Sequence, residues 1–214
     1  ASKTRSGLGP FVVFGPPGTG KTTTVVEAML KVLQSNHKAR ILACTPSDYS
    51  ADILVERMKS TLSSKEMLRL NHPSRHTVVL SVKPYCSVDA LGFYVTPSLA
   101  KLKTFRVIVT TCITSWRLLQ AGVSRGEFSH IFFDESSQAM EPEMAVPLCL
   151  ADKSTVVVLA GDHRQLGALV HSPIASRSGL RISLQERLLT TIKEYTMVVD
   201  AANDNHINGF PMCR

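Results

Sequence analysis

The chain has 214 residues, of which 44% are hydrophobic, and carries a net charge of +7 with a pI of about 9.3. This length suffices for one domain with a buried core and is too short for two full domains. No apolar run approaches the roughly 18 residues of a membrane span, and residues 1–10 lack the apolar stretch of a signal peptide. We therefore expect no membrane association, while the basic excess is compatible with a polyanionic partner.

The five cysteines contain no CxxC pair and no spacing typical of a zinc site. Three of them, Cys44, Cys112 and Cys149, lie in apolar runs. This usage favours small buried side chains in a reducing compartment over disulfides or metal ligands.

Apolar and amphipathic segments alternate along most of the chain. In order they predict a strand at 11–14, a helix at 22–34, a strand at 40–44, a helix at 49–60, a strand at 105–110, a helix at 115–121, a strand at 130–133, a helix at 142–150, a strand at 155–160 and a helix at 184–192. The strands are rich in Val, Ile and Phe and most of them are apolar throughout, as expected when both faces of a sheet are covered. The pattern predicts an α/β fold, a mostly parallel sheet with helices on both faces.

The domain organisation follows from the same pattern. Residues 11–190 form the predicted domain, preceded by a lead-in at 1–10. Residues 61–104 interrupt the alternation with mixed turn signals, which predicts an elaboration between core strands. Residues 191–214 are polar and weakly periodic, which predicts a loose tail.

Residues 15–22 read G-x-x-x-x-G-K-T, the P-loop pattern, between a predicted strand and a predicted helix. Glycines allow backbone N–H groups to converge on phosphate oxygens, and the helix start favours the same anion. Lys21 would reach the β- and γ-phosphates of a nucleotide, and the Thr22 hydroxyl would bind Mg²⁺. The alternative is a plain turn between strand and helix, but both pattern and flanking elements favour a nucleotide site. The candidate nucleotide-binding residues are Gly15, Pro16, Pro17, Gly18, Thr19, Gly20, Lys21, Thr22 and Thr23.

Asp134 and Glu135 directly follow the apolar strand at 130–133. An Asp at the carboxyl end of a strand near a P-loop is suited to bind Mg²⁺, and the adjacent Glu is suited to act as a general base. A solvated acidic turn is the alternative, which the preceding apolar residues disfavour.

A third polar cluster, residues 161–165, follows the strand at 155–160. Gln165 is an uncharged donor and acceptor, suited to sense a γ-phosphate or position a water. His163 is interpreted as a loop residue, because no partner at metal-ligand spacing accompanies it.

The segments GPPGTGKT, DESSQ and GDHRQL, in this order, are similar to motifs I, II and III of superfamily 1 helicases of the up-frameshift type. Connecting segments such as FRVIVTTCITSWRLL and SGLRISLQERLL resemble the Moloney-leukemia-virus-ten / Armitage / silencing-defective branch of RNA helicases. The resemblance covers residues 11 to about 190. It implies the first RecA-like P-loop NTPase domain of an ATP-dependent 5′-to-3′ RNA helicase, with ATP and Mg²⁺ as cofactors.

The resemblance also implies roles for individual residues of the ATP site. Gln138 would complete motif II, and Asp162 would act with Gln165 in coupling through motif III. The catalytic candidates are Lys21, Asp134, Glu135 and Gln165, and the Mg²⁺ ligands are Thr22 and Asp134.

For RNA, the resemblance implies backbone contacts from motif Ia, at Pro46, Ser47 and Asp48, and from motif Ic, at Thr111 and Cys112. Asp48 stands where the family usually has Asn, and a carboxylate facing phosphate would repel it. Trp116 and Tyr85 could stack on bases, although the position of Trp116 in a helical stretch favours partial burial.

The implied partners are single-stranded RNA and Argonaute-pathway proteins, in the cytoplasm or in RNA granules. A second RecA domain with its arginine fingers is missing from the 214 residues, so we expect poor ATP hydrolysis and no unwinding by this chain alone. The alternative is a nucleotide- and RNA-binding module without turnover. A nucleotide kinase or GTPase is disfavoured by the GDHRQL motif and by the lack of an N-K-x-D guanine-reading motif.

Overall fold

A computed structural model describes residues 9–165, 167–193 and 195, and six strands in this part of the chain form one parallel sheet. The predicted lead-in lies mostly outside the described residues, as does most of the predicted tail. The sheet order is β1-β6-β5-β2-β4-β3. The strands are β1 Phe11–Phe14, β2 Ile41–Thr45, β3 Met67–Arg69, β4 Val107–Thr111, β5 His130–Phe133 and β6 Val156–Gly161.

Helices connect the strands, as parallel pairing requires. Every predicted strand and helix is present, with ends shifted by one or two residues. No helix in the described part of the chain is both long and apolar enough to cross a bilayer. The helices are α1 Lys21–Ser35, α2 Asp48–Met58, α3 Leu99–Leu102, α4 Trp116–Gln120, α5 Glu141–Leu148, α6 Pro173–Ala175 and α7 Leu184–Thr191.

Both faces of the sheet are covered, because successive side chains of a strand point to opposite sides. Along β2, Ile41 and Ala43 belong to a core shared with α1 and α2. Leu42 and Cys44 belong to a second core shared with α4 and α5. The predicted α/β class, with a parallel sheet and helices on both faces, is confirmed.

The edge strand β3 was not predicted. Met67–Arg69 pairs with β4 inside the segment 61–104, which the sequence analysis interpreted only as an elaboration between core strands. A three-residue strand gives almost no periodic signal, and it ends in an arginine that is fully buried.

The carboxyl ends of all the strands lie at one edge of this sheet, the edge where open α/β proteins bind ligands. The loop at 15–20 follows β1, Asp134 follows β5, and Asp162 follows β6. Since β6 lies between β1 and β5, the loop at Asp162 lies between the other two.

Candidate nucleotide site

The loop between β1 and α1 has the backbone conformation of a phosphate-binding loop. Gly18 and Gly20 have φ of 77° and 86°, in the left-handed region that glycine adopts without steric cost. Gly20 is followed by the 15-residue helix α1, which begins at Lys21 and directs its free N–H groups toward the loop. Residues 16–20 are exposed, so a ligand can reach the loop.

The Lys21 side chain folds over this loop. Its Nζ donates hydrogen bonds to the carbonyl oxygens of Gly15, at 2.8 Å, and Pro16, at 3.1 Å. Thr19 Oγ1 also donates to the Pro16 carbonyl, at 2.8 Å, which closes the turn. A phosphate oxygen would be a stronger, charged acceptor for the same ammonium. Thr23 faces elsewhere, because its Oγ1 accepts a 2.6 Å hydrogen bond from Arg57.

Asp134 is the buried carboxylate of the site, at 3% exposure. Its N–H donates to the Cys44 carbonyl at 3.0 Å, while its Oδ1 is buried with no hydrogen-bond partner. Burial, together with the charge of Glu135, raises the pKa of Asp134 to about 6, although Thr22 and Lys21 act to lower it. A carboxylate oxygen left without a partner beside a threonine hydroxyl fits a Mg²⁺ site, because the ion prefers such oxygens.

Glu135 has an unusual backbone. Its φ of 56° is positive, and it is the one non-glycine among the described residues with a positive φ. A left-handed conformation at such a residue costs about 1–3 kcal/mol and is concentrated at functional sites. The side chain is half-buried and accepts a 3.3 Å hydrogen bond from Nε2 of the exposed Gln138.

Asp162 links the third motif to the same site. It accepts hydrogen bonds from Gln165 Nε2, at 2.7 Å, and from the Arg164 N–H, at 3.0 Å. Burial acts to raise the pKa of Asp162, but these hydrogen bonds and the charge of Lys21 lower it overall. The Lys21 ammonium therefore acts on both Asp134 and Asp162, and the structure brings the three predicted motifs together.

Gln185 is a residue of the site that the sequence analysis missed. It is fully buried at the start of α7. Its Oε1 accepts a 2.5 Å hydrogen bond from Ser136 Oγ, and its Nε2 donates to the Gly161 carbonyl at 3.2 Å. One amide thus joins the segment after Asp134 to the segment before Asp162. The sequence showed only an amphipathic helix here, and a buried amide inside such a pattern carries no separate signal.

Replacing Gln185 with Leu is expected to lower the free energy of unfolding by about 1–3 kcal/mol, because the buried Gly161 carbonyl loses its partner. Urea unfolding measures this difference. Glu186→Leu, a change at the next position of α7, is the control and is expected to have a smaller effect. Equal stability of Gln185→Leu and the parent chain would show that the hydrogen bonds of Gln185 do not stabilise the fold.

The predicted motif Ia residues follow β2. Pro46 is half-buried and Ser47 caps α2 by accepting a 3.1 Å hydrogen bond from the Ser50 N–H. Asp48 forms ion pairs with Arg69, at 2.6 Å, and with Arg75, at 3.6 Å. Its charge is thus compensated within the protein, which weakens the repulsion of phosphate expected from the sequence.

The predicted motif Ic residues lie at the end of β4, with Thr111 as its last residue and Cys112 next. Thr111 Oγ1 donates to Thr114 Oγ1 at 2.8 Å, so its hydroxyl closes a local turn. Cys112 is buried, and burial raises the pKa of its thiol to about 12. Any contact of Cys112 with a ligand must therefore come from its backbone.

A strand, a glycine loop and a helix with a lysine at its first position, beside two carboxylates at the same sheet edge, define a nucleotide-binding P-loop fold. A protein-family model described as "AAA domain" matches residues 3–92 and 99–173. The chain therefore belongs to the AAA domain family.

Individual relatives agree with this assignment. The chain is 42% identical over 186 residues to the protein named "RNA helicase Mov10l1" of Homo sapiens, and 39% identical over 201 residues to the protein named "Probable RNA helicase armi" of Drosophila melanogaster. These matches cover 85% and 84% of this chain but only 15% and 17% of the relatives' length. The resemblance to the Moloney-leukemia-virus-ten / Armitage branch is confirmed.

Among solved structures, the chain is similar to the arterivirus nonstructural protein 10 helicase in complex with DNA, at 20% identity and a TM-score of 0.45. That match covers 82% of this chain and 34% of the viral one.

Proposed function

We propose that this chain is the ATP-binding first RecA-like domain of an ATP-dependent 5′-to-3′ RNA helicase. The observation that carries the proposal is the meeting of Lys21 with two carboxylates, of which Asp134 has a buried oxygen without a partner. The relatives named RNA helicases support the same function. Since the chain spans a small fraction of their length, the activity proposed is that of the longer protein.

Each side chain has a role in this proposal. Lys21 binds the β- and γ-phosphates, while Thr22 and Asp134 hold Mg²⁺. When bound, Mg²⁺ neutralises charge on the phosphate oxygens. Glu135 orients the attacking water and accepts its proton. This general base directly follows the metal ligand Asp134 in the chain. Asp162 and Gln165 couple the presence of the γ-phosphate to the conformation of the rest of the protein.

The proposed RNA side lies along the same sheet edge. The segments at 46–48 and 111–112 follow neighbouring strands β2 and β4, and the Cys112 N–H donates to the Thr45 carbonyl at 2.9 Å. The RNA would lie across both segments and contact them through its sugar-phosphate backbone. The branch resemblance supports a role in RNA silencing with Argonaute-pathway proteins, in the cytoplasm or in RNA granules.

This chain alone is proposed to hydrolyse ATP slowly and not to unwind RNA. An arginine finger contributes about 10³–10⁵ in rate in related NTPases, and the resemblance places that arginine in a second domain. The second candidate function is a nucleotide- and RNA-binding module without turnover. The presence of Lys21, Asp134 and Glu135 together favours the first candidate.

Replacing Lys21 with Ala is expected to weaken binding of Mg-ATP about 10- to 100-fold, because a charge-assisted hydrogen bond contributes about 1.5–3 kcal/mol. Titration calorimetry measures the affinity. Lys31→Ala, an exposed lysine on the same helix α1, is the matched control and should bind as the parent chain does.

Steady-state ATP hydrolysis, with and without single-stranded RNA, then separates the two candidates. RNA-stimulated turnover that Lys21→Ala abolishes would show that this chain contains a sufficient catalytic site. Binding of Mg-ATP without turnover above the variant would identify a binding module. A chain that is folded by circular dichroism and binds no Mg-ATP would contradict the proposed function itself.

A further inference from the structure

Trp116 is the only tryptophan of the chain, and it is 45% exposed at the first position of α4. The sequence favoured partial burial of Trp116, and in the structure much of its ring is exposed to water. Two further large side chains that follow β2 or β4 are exposed: Ile113, at 49%, and Tyr49, at 74%. Tryptophan is usually highly buried, so an exposed ring is an informative observation. We call Tyr49, Ile113 and Trp116 the aromatic edge.

The aromatic edge belongs to the end of the sheet where the proposed RNA segments lie. Tyr49 follows β2, and Ile113 and Trp116 follow β4. These strands are parallel neighbours, with Thr45 in register with Thr111. The three residues therefore lie on two neighbouring segments at the carboxyl end of the sheet, with Tyr49 in the first turn of α2 and Trp116 at the start of α4.

The start of α4, which carries Trp116, is held by hydrogen bonds and by packing in the core. Ser115 is fully buried, and its Oγ donates to the Cys112 carbonyl at 2.6 Å. The Trp116 N–H donates to the Ile113 carbonyl at 3.2 Å, and Leu118 anchors α4 in the core. The exposure of the ring is thus fixed by the surrounding fold, which lowers the entropy lost when a ligand packs on it.

A positive charge lies next to the ring in the chain. Arg117 is half-buried, and its Nε donates to Thr96 Oγ1 at 2.7 Å. Within the described residues it forms no ion pair with a carboxylate. An exposed ring, followed at the next position of the chain by a guanidinium without a carboxylate partner, matches the base and the phosphate of a single-stranded nucleic acid.

We propose that Trp116 is a stacking platform for a base of single-stranded RNA, whose backbone lies along the segments at 46–48 and 111–112. Arg117 supplies an attraction to the phosphate that flanks this base. This inference rests on the proposed function, because it adds a base-contacting subsite to the proposed RNA path. Contacts confined to the backbone would leave Trp116 without a role.

The lone tryptophan makes the inference directly measurable. An oligouridine of about ten nucleotides is titrated into the chain, and the intrinsic fluorescence of Trp116 is recorded. The same titration is repeated with an abasic sugar-phosphate chain of equal length, which keeps the charge and removes the bases. Stacking is expected to quench the emission with the oligouridine and to leave it nearly unchanged with the abasic chain.

Substitutions of Trp116 measure how much its ring contributes to RNA affinity. The readout is the fluorescence anisotropy of a labelled oligouridine. Trp116→Ala is expected to weaken binding about 5- to 100-fold, the range reported for loss of one base–aromatic stack. Trp116→Phe should restore most of the affinity. Phe11→Ala removes a similarly exposed ring, at 43%, from the opposite edge of the sheet and should bind as the parent chain does.

Three results would overturn the inference. If the oligouridine binds by anisotropy while Trp116 emission and the affinity of Trp116→Ala stay unchanged, the RNA path exists and the stacking subsite does not. Equal quenching by the abasic chain would assign the signal to phosphate alone. A shift of the Trp116 emission with protein concentration in the absence of RNA would identify contact with a second copy instead. Failure of every probe to bind would contradict the proposed RNA-binding function, a different outcome from the first.

Discussion

Replacing Asp134 with Asn is expected to stabilise the metal-free protein while abolishing its Mg²⁺-dependent binding of nucleotide. The carboxylate is 3% exposed and one of its oxygens has no partner, so its charged form is poorly accommodated. Its pKa rises from the ordinary 3.8 to about 6. A shift of this size corresponds to a gain of about 1–3 kcal/mol in the free energy of unfolding when the charge is removed near neutral pH. Urea unfolding in EDTA measures the gain.

The pH dependence of this gain has a definite sign. Because the pKa of Asp134 is raised in the folded state, its protonated form stabilises the fold at low pH. That contribution is fully present below pH 3.8 and is lost as the pH rises to about 6. The advantage of Asp134→Asn should therefore be largest above pH 6 and should shrink as the pH falls through this window.

Asp162→Asn is the matched control for this experiment. It changes the same residue type at the same sheet edge. Burial acts to raise the pKa of Asp162, but hydrogen bonds from Gln165 and Arg164 outweigh this effect and lower the pKa. Removing that carboxylate should give no gain near neutral pH. A loss of stability in Asp134→Asn without metal would show that the carboxylate has a structural role instead.

The sequence predicted Asp134 because its signal is local. A carboxylate directly after three apolar residues marks the end of a buried strand, and a P-loop elsewhere in the chain supplies the chemical context. The same local logic located the five apolar strands and the helices between them. It also placed Gln165 and Asp162 in one cluster, where they form a hydrogen bond of 2.7 Å.

What the sequence did not predict depends on contacts between distant residues. Gln185 acquires its role only when α7 packs against the segments around Ser136 and Gly161. Strand β3 exists because β4 accepts it at the edge of the sheet, and its arginine is buried only because two aspartates of α2 lie opposite. Burial of a charged residue cannot be inferred from periodicity, since most arginines are exposed.

Replacing that arginine, Arg69, with Met is expected to lower the free energy of unfolding by about 3 kcal/mol, as for other buried pairs that lose one partner. The Arg69 side chain is fully buried, and it donates to Asp52 at 2.9 Å and to Asp48 at 2.6 Å. Its NH1 also donates to the Leu70 carbonyl at 2.7 Å. Arg75 still pairs with Asp52, at 2.6 Å, which keeps the loss at the lower end of the range. Urea unfolding measures the change.

Two companion variants show whether burial causes the loss. Arg187→Met removes a surface arginine that pairs with Glu141 at 2.5 Å, and it should cost less than about 1 kcal/mol because solvent screens that pair. The double variant Arg69→Met with Asp52→Leu removes both buried partners and should recover part of the stability lost in the single variant. If Arg69→Met costs no more than Arg187→Met, the buried pairs do not fix the start of α2. The position of Asp48 would then be set by the Ser47 cap of α2 alone.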